Sequence, residues 1–434
     1  MATFPLKEHP DREWLAMELH SRPPIPVLSP ARVLHLGFYT GESGADEDRI
    51  GLDRLCRFFG IQGPAPDTNH FIGQLNPTLR IKWERHTEFV SYTFYLDEPF
   101  DEPFDGQLIE RLPLDWTDEC PGRLLSAVQI AIDPKDAPER DMAELNQIFK
   151  GNPIFGNLTP SQTSKIYSDM RIHPDRFVRI LIKDVDMSKW RAGRLVQRLS
   201  EITSYRMMAL LGLPVARAAI PQLRQMDLGL AAIAAEMKDS KDPNSDAEIQ
   251  RRLTELSAQI ESITTSTTYR LGASRAYYAI LLQRLSSLGT QRIAGLQTLA
   301  DLIERRMEPA MATCESTLSR QHDLSERAAR VAGLMRSRVE VFQAEQNRQL
   351  LASMDHRAKL QLHLQETVEG LSVMVVSYYA ISLCGYVFKS IKNLGAPINL
   401  DLATGIAVPV VLVTVWMGMR RMRKRFAKLS GDAH

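Results

Sequence analysis

Cysteine is scarce in this sequence: four among 434 residues, at Cys56, Cys120, Cys314 and Cys384. No two stand in a CxxC spacing, which argues against a zinc site and against a disulfide framework, and reads as free thiols in a reducing compartment. An excess of either charge is also lacking. Lys plus Arg total 53 and Asp plus Glu total 52, so no global field draws nucleic acid, and any electrostatic recognition must be local. Common catalytic signatures are missing as well: no GxxxxGK[ST] loop, no GxGxxG after a strand, no HExxH and no GxSxG elbow. The ten histidines are scattered without ligand spacing, so the sequence points to no metal and no cofactor. Its first thirteen residues hold no apolar run and are too acidic for a transit peptide, so the body of the chain is expected in the cytosol.

Two charge-free runs are present. Residues 370–388 read GLSVMVVSYYAISLCGYVF and residues 402–419 read LATGIAVPVVLVTVWMGM. A helix rising ~1.5 Å per residue needs about 20 such residues to cross a bilayer core. Buried core helices can have this length too, but Tyr378, Tyr379, Tyr386 and Trp416 fit the interfacial aromatics of a membrane span. After the second run come Arg420, Arg421, Arg423, Lys424 and Arg425, against only Lys389 and Lys392 between the runs. This bias predicts two spans with both termini in the cytoplasm. The basic tail either sets topology alone or also grips anionic headgroups, at roughly 1 kcal/mol per residue. On the first span Tyr378, Ser382, Gly385 and Lys389 share a helical face, suited to an aqueous path or, more simply, to a packing seam.

Upstream, the patterning is helical. Residues 188–218 and 222–238 read as helices punctuated by Pro214 and Pro221, and residues 239–245 read as a hairpin loop. A helix from residue 246 breaks near residues 286–289, and Pro309 should kink or interrupt the next one. Residues 310–388 then form one nearly continuous helix; polar interruptions such as residues 345–349 make a bundle or stalk a safer expectation than a strict coiled coil.

The first 187 residues alternate strand and helix patterns. Strands are expected at 33–39, 79–86, 88–96, 127–132 and 176–185, with helices from a cap at Asp11 through 17–20, at 47–59 and at 141–149. The fold class is therefore an α+β or α/β cytosolic domain (1–187), a helical stalk or bundle (188–369), a transmembrane hairpin (370–419) and a basic cytosolic tail (420–434).

The best candidate for chemistry is the string Lys82-Trp-Glu-Arg-His-Thr-Glu88. As a strand it would put Lys82, Glu84, His86 and Glu88 on one face, where a histidine between carboxylates can do acid–base work. A solvated face laced with charge pairs explains the same pattern. Glu18, His20 and Arg22 form a second polar cluster, equally readable as a helix end.

Three strings, residues 18–23 (ELHSRP), 82–89 (KWERHTEF) and 205–214 (YRMMALLGLP), resemble an uncharacterised bacterial family of predicted membrane-anchored proteins. The resemblance covers most of the chain and implies an inner-membrane protein; it brings no catalytic residues. In layout the chain is also similar to magnesium channels of the CorA type, but their Gly-Met-Asn motif after the first span is absent. Here that region reads Cys384-Gly-Tyr-Val-Phe388 followed by Lys389. The expectation is a non-enzymatic, membrane-anchored sensing or recruitment module, homo-oligomeric and acting on an unknown protein partner. The alternatives are an oligomeric channel or transporter of CorA-like architecture and, last, an enzyme using Glu84, His86 and Glu88.

Overall fold

The computed structural model describes residues 7–13, 15–16, 23–41, 47–66, 68–113, 115–239, 243–289, 291–394 and 399–431. Of the helix expected from Asp11 through 17–20, residues 12–13 and 15–16 are helical, while residues 17–20 and the cluster Glu18, His20 and Arg22 lie outside the described residues. The chain divides into two compact units, Met1–Ala332 and Gly333–His434. The boundary expected at residue 187 falls inside the first, because the helices after it pack onto the sheet before it.

The first unit is built on one mixed sheet. Its described strands are β1 (Ala31–Tyr39), β2 (His70–Gln74), β3 (Leu79–Arg85), β4 (Phe89–Leu96), β5 (Arg123–Asp133), β6 (Phe155–Leu158), β7 (Ser164–Ser168), β8 (Val178–Asp184) and β9 (Gln291–Arg292). They lie in the order β2-β3-β4-β1-β5-β8-β7-β6-β9. Only the β5–β8 pairing is parallel among these; the others are antiparallel.

Alternation along the strands sorts side chains into two layers. On one face Leu34, Leu36 and Phe38 of β1 join Ile81 and Trp83 of β3 and Tyr92 and Phe94 of β4. Helix α1 (Ile50–Phe59) covers them with Leu52 and Leu55, and ends on Gly60 in the left-handed conformation. Two short helices follow, α2 (Gln107–Glu110) and α3 (Met142–Ile148). The second opens with a capping box between Asp141 and Glu144. On the opposite face Val33, Val128, Ile130, Ile132, Ile180 and Ile182 pack under Leu195, Val196, Leu199 and Ile202 of helix α4 (Lys189–Leu210).

Helices α5 (Gly212–Asp239), α6 (Pro243–Leu288) and α7 (Leu299–Asn393) follow. Pro214 and Pro221 do not separate two helices as expected. Pro214 sits in the first turn of α5, where a missing N–H removes no helical bond, and α5 runs through Pro221. Nor does Pro309 interrupt α7, because Met307, Met311 and Cys314 anchor it in the core on both sides. The loop expected at 239–245 lies partly outside the described residues. Gly212 admits Ser274 of α6 and Cys314 of α7, since a β-carbon there would overlap the Ser274 side chain, so three helices close on one another there.

Between α6 and α7 the chain returns to the sheet. β9 pairs with β6, and Oδ1 of buried Asn157 accepts a bond of 3.0 Å from the backbone N–H of Leu299, capping the start of α7 from 142 residues away.

The second unit holds the end of α7 and helix α8 (Leu400–Gly431). Each is long and apolar enough to cross a membrane, and hardly any of either apolar window is buried. Along α7 the half-buried stripe runs through Val373, Ile381, Cys384 and Phe388, with Ser377 buried within it; on α8 it runs through Ala407, Val411, Val415 and Met419.

Candidate functional site

The face of the sheet under α4 is apolar beneath β5 and β8 but polar beneath β1, β3 and β4. There a cavity of about 190 Å³ lies between the sheet and α4. His35 comes from β1, Lys82 and Glu84 from β3, Ser91, Thr93 and Tyr95 from β4. Gln197, Ser200, Glu201, Ser204 and Tyr205 come from α4, at spacings that put them on one helical stripe. Arg284 of α6, His86 and Phe89 complete it.

His35 ties sheet to helix. Its Nδ1 lies 2.8 Å from Thr93 Oγ1, its Nε2 lies 2.8 Å from Ser204 Oγ, and that hydroxyl is 2.9 Å from Ser126 Oγ. Gly37 makes this approach possible, since a β-carbon there would overlap Ser126 Oγ. Burial pushes the His35 imidazole down to about 3, helped by the charge of Lys82, so it is neutral at physiological pH.

Lys82 is 1% exposed. Its Nζ lies 2.9 Å from Oε1 of Glu84, but the approach is off-axis, and no aligned acceptor completes its N–H bonds among the described residues. Ser200 is also buried with an unpartnered hydroxyl. On the other wall Arg284 Nε lies 2.5 Å from Glu201 Oε2, and Gln197 donates to Glu201 Oε1 at 2.9 Å.

The four residues expected on one strand face part company. β3 ends at Arg85, so only Lys82 and Glu84 share that face. His86 stands in the turn, its ring stacked on Phe89 at 4.1 Å, and still lines the cavity. Glu88 turns away to Arg270 of α6, which donates two bonds to its carboxylate at 2.7 and 3.1 Å. That face is also not a solvated one, since Lys82 and Glu84 are buried on it, and Glu88 is buried in its own place.

His86, Phe89 and Tyr205 also line a second, more open cleft of about 490 Å³ with Asn69, Arg85, Tyr277 and Ile280. Phe89 meets Tyr205 edge-on at 6.2 Å, and Tyr205 stacks on Tyr277 at 5.9 Å. Three side chains thus stand between the inner cavity and the outer cleft.

Sequence reasoning missed His35, Ser200, Ser204, Glu201 and Arg284. One signal was available: His35 interrupts an apolar strand two residues before Gly37. Among the described residues no group of three or more His, Cys, Asp or Glu converges to hold a metal ion.

In the second unit, Tyr378 is 71% exposed, Ser382 and Lys389 are exposed and Gly385 is half-buried. The buried position is the neighbouring Ser377, so the inward stripe is rotated by one residue from the expected face. The Arg420 guanidinium stacks over Trp416 at 5.1 Å, and Arg421 is exposed. Arg423, Lys424 and Arg425 continue on the α8 backbone.

Fold and cavity together define a mixed-sheet α+β protein with a helical layer, a small cavity lined by polar and charged side chains, and two long apolar helices towards its C-terminal end. The chain belongs to the family described as protein of unknown function (DUF3422), which matches residues 7–426. No curated protein matches it. No solved structure matches it either, so the layout likeness to the CorA type gains no support.

Proposed function

We propose that this chain is a membrane-anchored sensing module whose sheet–helix cavity takes a small polar ligand. The observation that carries the reading is the Lys82 ammonium, buried in a cavity without an aligned acceptor. A buried cation with unmade hydrogen bonds costs several kcal/mol of stability, and a ligand oxygen recovers part of that. His35 supports binding rather than turnover: it is neutral and both ring nitrogens are engaged, so it locks the polar wall in place.

The anchor reading rests on the exposed apolar side chains of α7 and α8 and on the basic run from Arg420. Two spans with their basic flank inside place both ends of the pair on the cytoplasmic face of a bacterial inner membrane. An unknown protein partner reads cavity occupancy, and the chain assembles with copies of itself.

Two measurements test this. Alkaline carbonate washing of membranes should leave the full chain in the pellet; release into the wash removes the anchor. Native mass spectrometry of the gently solubilised protein should show a small non-covalent adduct that Lys82→Met loses. An adduct retained by that variant places the ligand elsewhere and defeats the cavity reading.

A further inference from the structure

The charges that face the cavity come from three elements and balance. Lys82 and Glu84 stand on β3, Glu201 on α4 and Arg284 on α6, while His35 on β1 is neutral. A dicarboxylate or phosphate would be desolvated against Glu84 and Glu201. A diamine would meet Lys82 and Arg284. An uncharged polyol would leave the Lys82 ammonium with neutral acceptors only, and charge-assisted bonds are about twice as strong.

Size narrows the choice further. At about 190 Å³ the cavity is smaller than the roughly 300–1,000 Å³ of sites for drug-sized ligands, so it suits a small ligand. Resting on the sensing reading above, we infer that the cavity is built for a zwitterionic α-amino acid. Its carboxylate meets Lys82 and the unpartnered Ser200 hydroxyl; its ammonium meets Glu84. An α-amino acid bears its ammonium and carboxylate groups on one carbon, which matches the close pairing of Lys82 Nζ and Glu84 Oε1 at 2.9 Å as an alternating square of charge. The side chain then lies along the Phe89 and Tyr205 rings, whose outer surfaces face the open cleft.

Calorimetric titration of the full-length, detergent-solubilised protein tests this with the twenty protein amino acids. For each binder, the matched amine without the carboxylate and the matched 2-hydroxy acid without the ammonium are titrated too. The expected result is saturable binding of at least one amino acid, weakened ~10-fold or more in both counterparts. Ser200→Ala, which changes no charge, should weaken it by about 5-fold, and Lys82→Met should abolish it. If Lys82→Met does not fold, the counterpart series and Ser200→Ala carry the test. Equal binding of an amine or hydroxy acid overturns the inference. So does Lys82-dependent binding of a sugar, dicarboxylate or diamine in place of any amino acid, though the sensing reading then survives. Silence across all these panels overturns both.

Discussion

Lys82 and Glu88 come from one short string, yet the turn between β3 and β4 sends them to different partners. Glu88 finds a bidentate arginine, whereas Lys82 is left facing a cavity with an off-axis carboxylate. The strand pattern made their shared polarity legible; it did not show where β3 stops. Nor did it show burial, because the helix that covers this face begins a hundred residues later. His35 carries the clearest consequence at this scale. Unfolded, it titrates near 6.5, and folded near 3, so between those values the unfolded chain holds the extra proton. Its contribution to stability is present above pH ~6.5 and is lost as pH falls from there towards 3, by roughly 1 kcal/mol per pH unit. Denaturant melts of the wild type and His35→Gln between pH 7 and about 4.5 should show a shallower pH slope in the variant. Equal slopes would place the titrating group elsewhere.

Among the elements, those with strong periodicity were legible and those defined by their neighbours were not. β4 (FVSYTFYL) is aromatic or β-branched at six of its eight positions, and α4 repeats apolar residues at helical spacing. β6 (FGNL) and β9 (QR) have no such pattern; pairing across the sheet, not propensity, makes them strands. The cavity was half legible for the same reason. Lys82 and Glu84 are visible from β3 alone, but Ser200, Ser204 and Arg284 belong to the site only once α4 and α6 have docked. That docking depends on Gly193 of α4, where a β-carbon would overlap the backbone carbonyl of Ile25. Backbone cannot swing aside as a side chain can. Gly193→Ala should therefore destabilise the protein by about 2 kcal/mol or more in denaturant melts, despite the better helix propensity of alanine. A neutral or stabilising result would mean that α4 rests farther from that segment.

At the scale of the whole molecule the apolar surface of the last two helices sets the behaviour. Leu371, Met374, Val376, Leu383, Leu402, Ile406 and Val410 are all exposed, and along α7 Leu350, Leu351, Met354 and Leu360 are exposed too. On the anchored, self-associating reading proposed above, detergent or lipid covers the former and a second copy covers the latter. The detergent-corrected mass of the purified particle should be a whole-number multiple, two or above, of the 49.0 kDa chain. A monomer would remove self-association. The sheet carries one more consequence, in the order of manufacture. β6 gains its outer neighbour only when Arg292, 135 residues beyond its partner Asn157 (292 − 157), has been made, and Asn157 meets the start of α7 142 residues on. At ~5–20 residues per second, a ribosome needs roughly 7–30 s to supply them. Throughout that interval β6 is the bare edge of the sheet, and a bare edge is a template for stray pairing. Four residues offer a stray strand little to pair with, so the shortness of β6 itself guards this edge until β9 closes it.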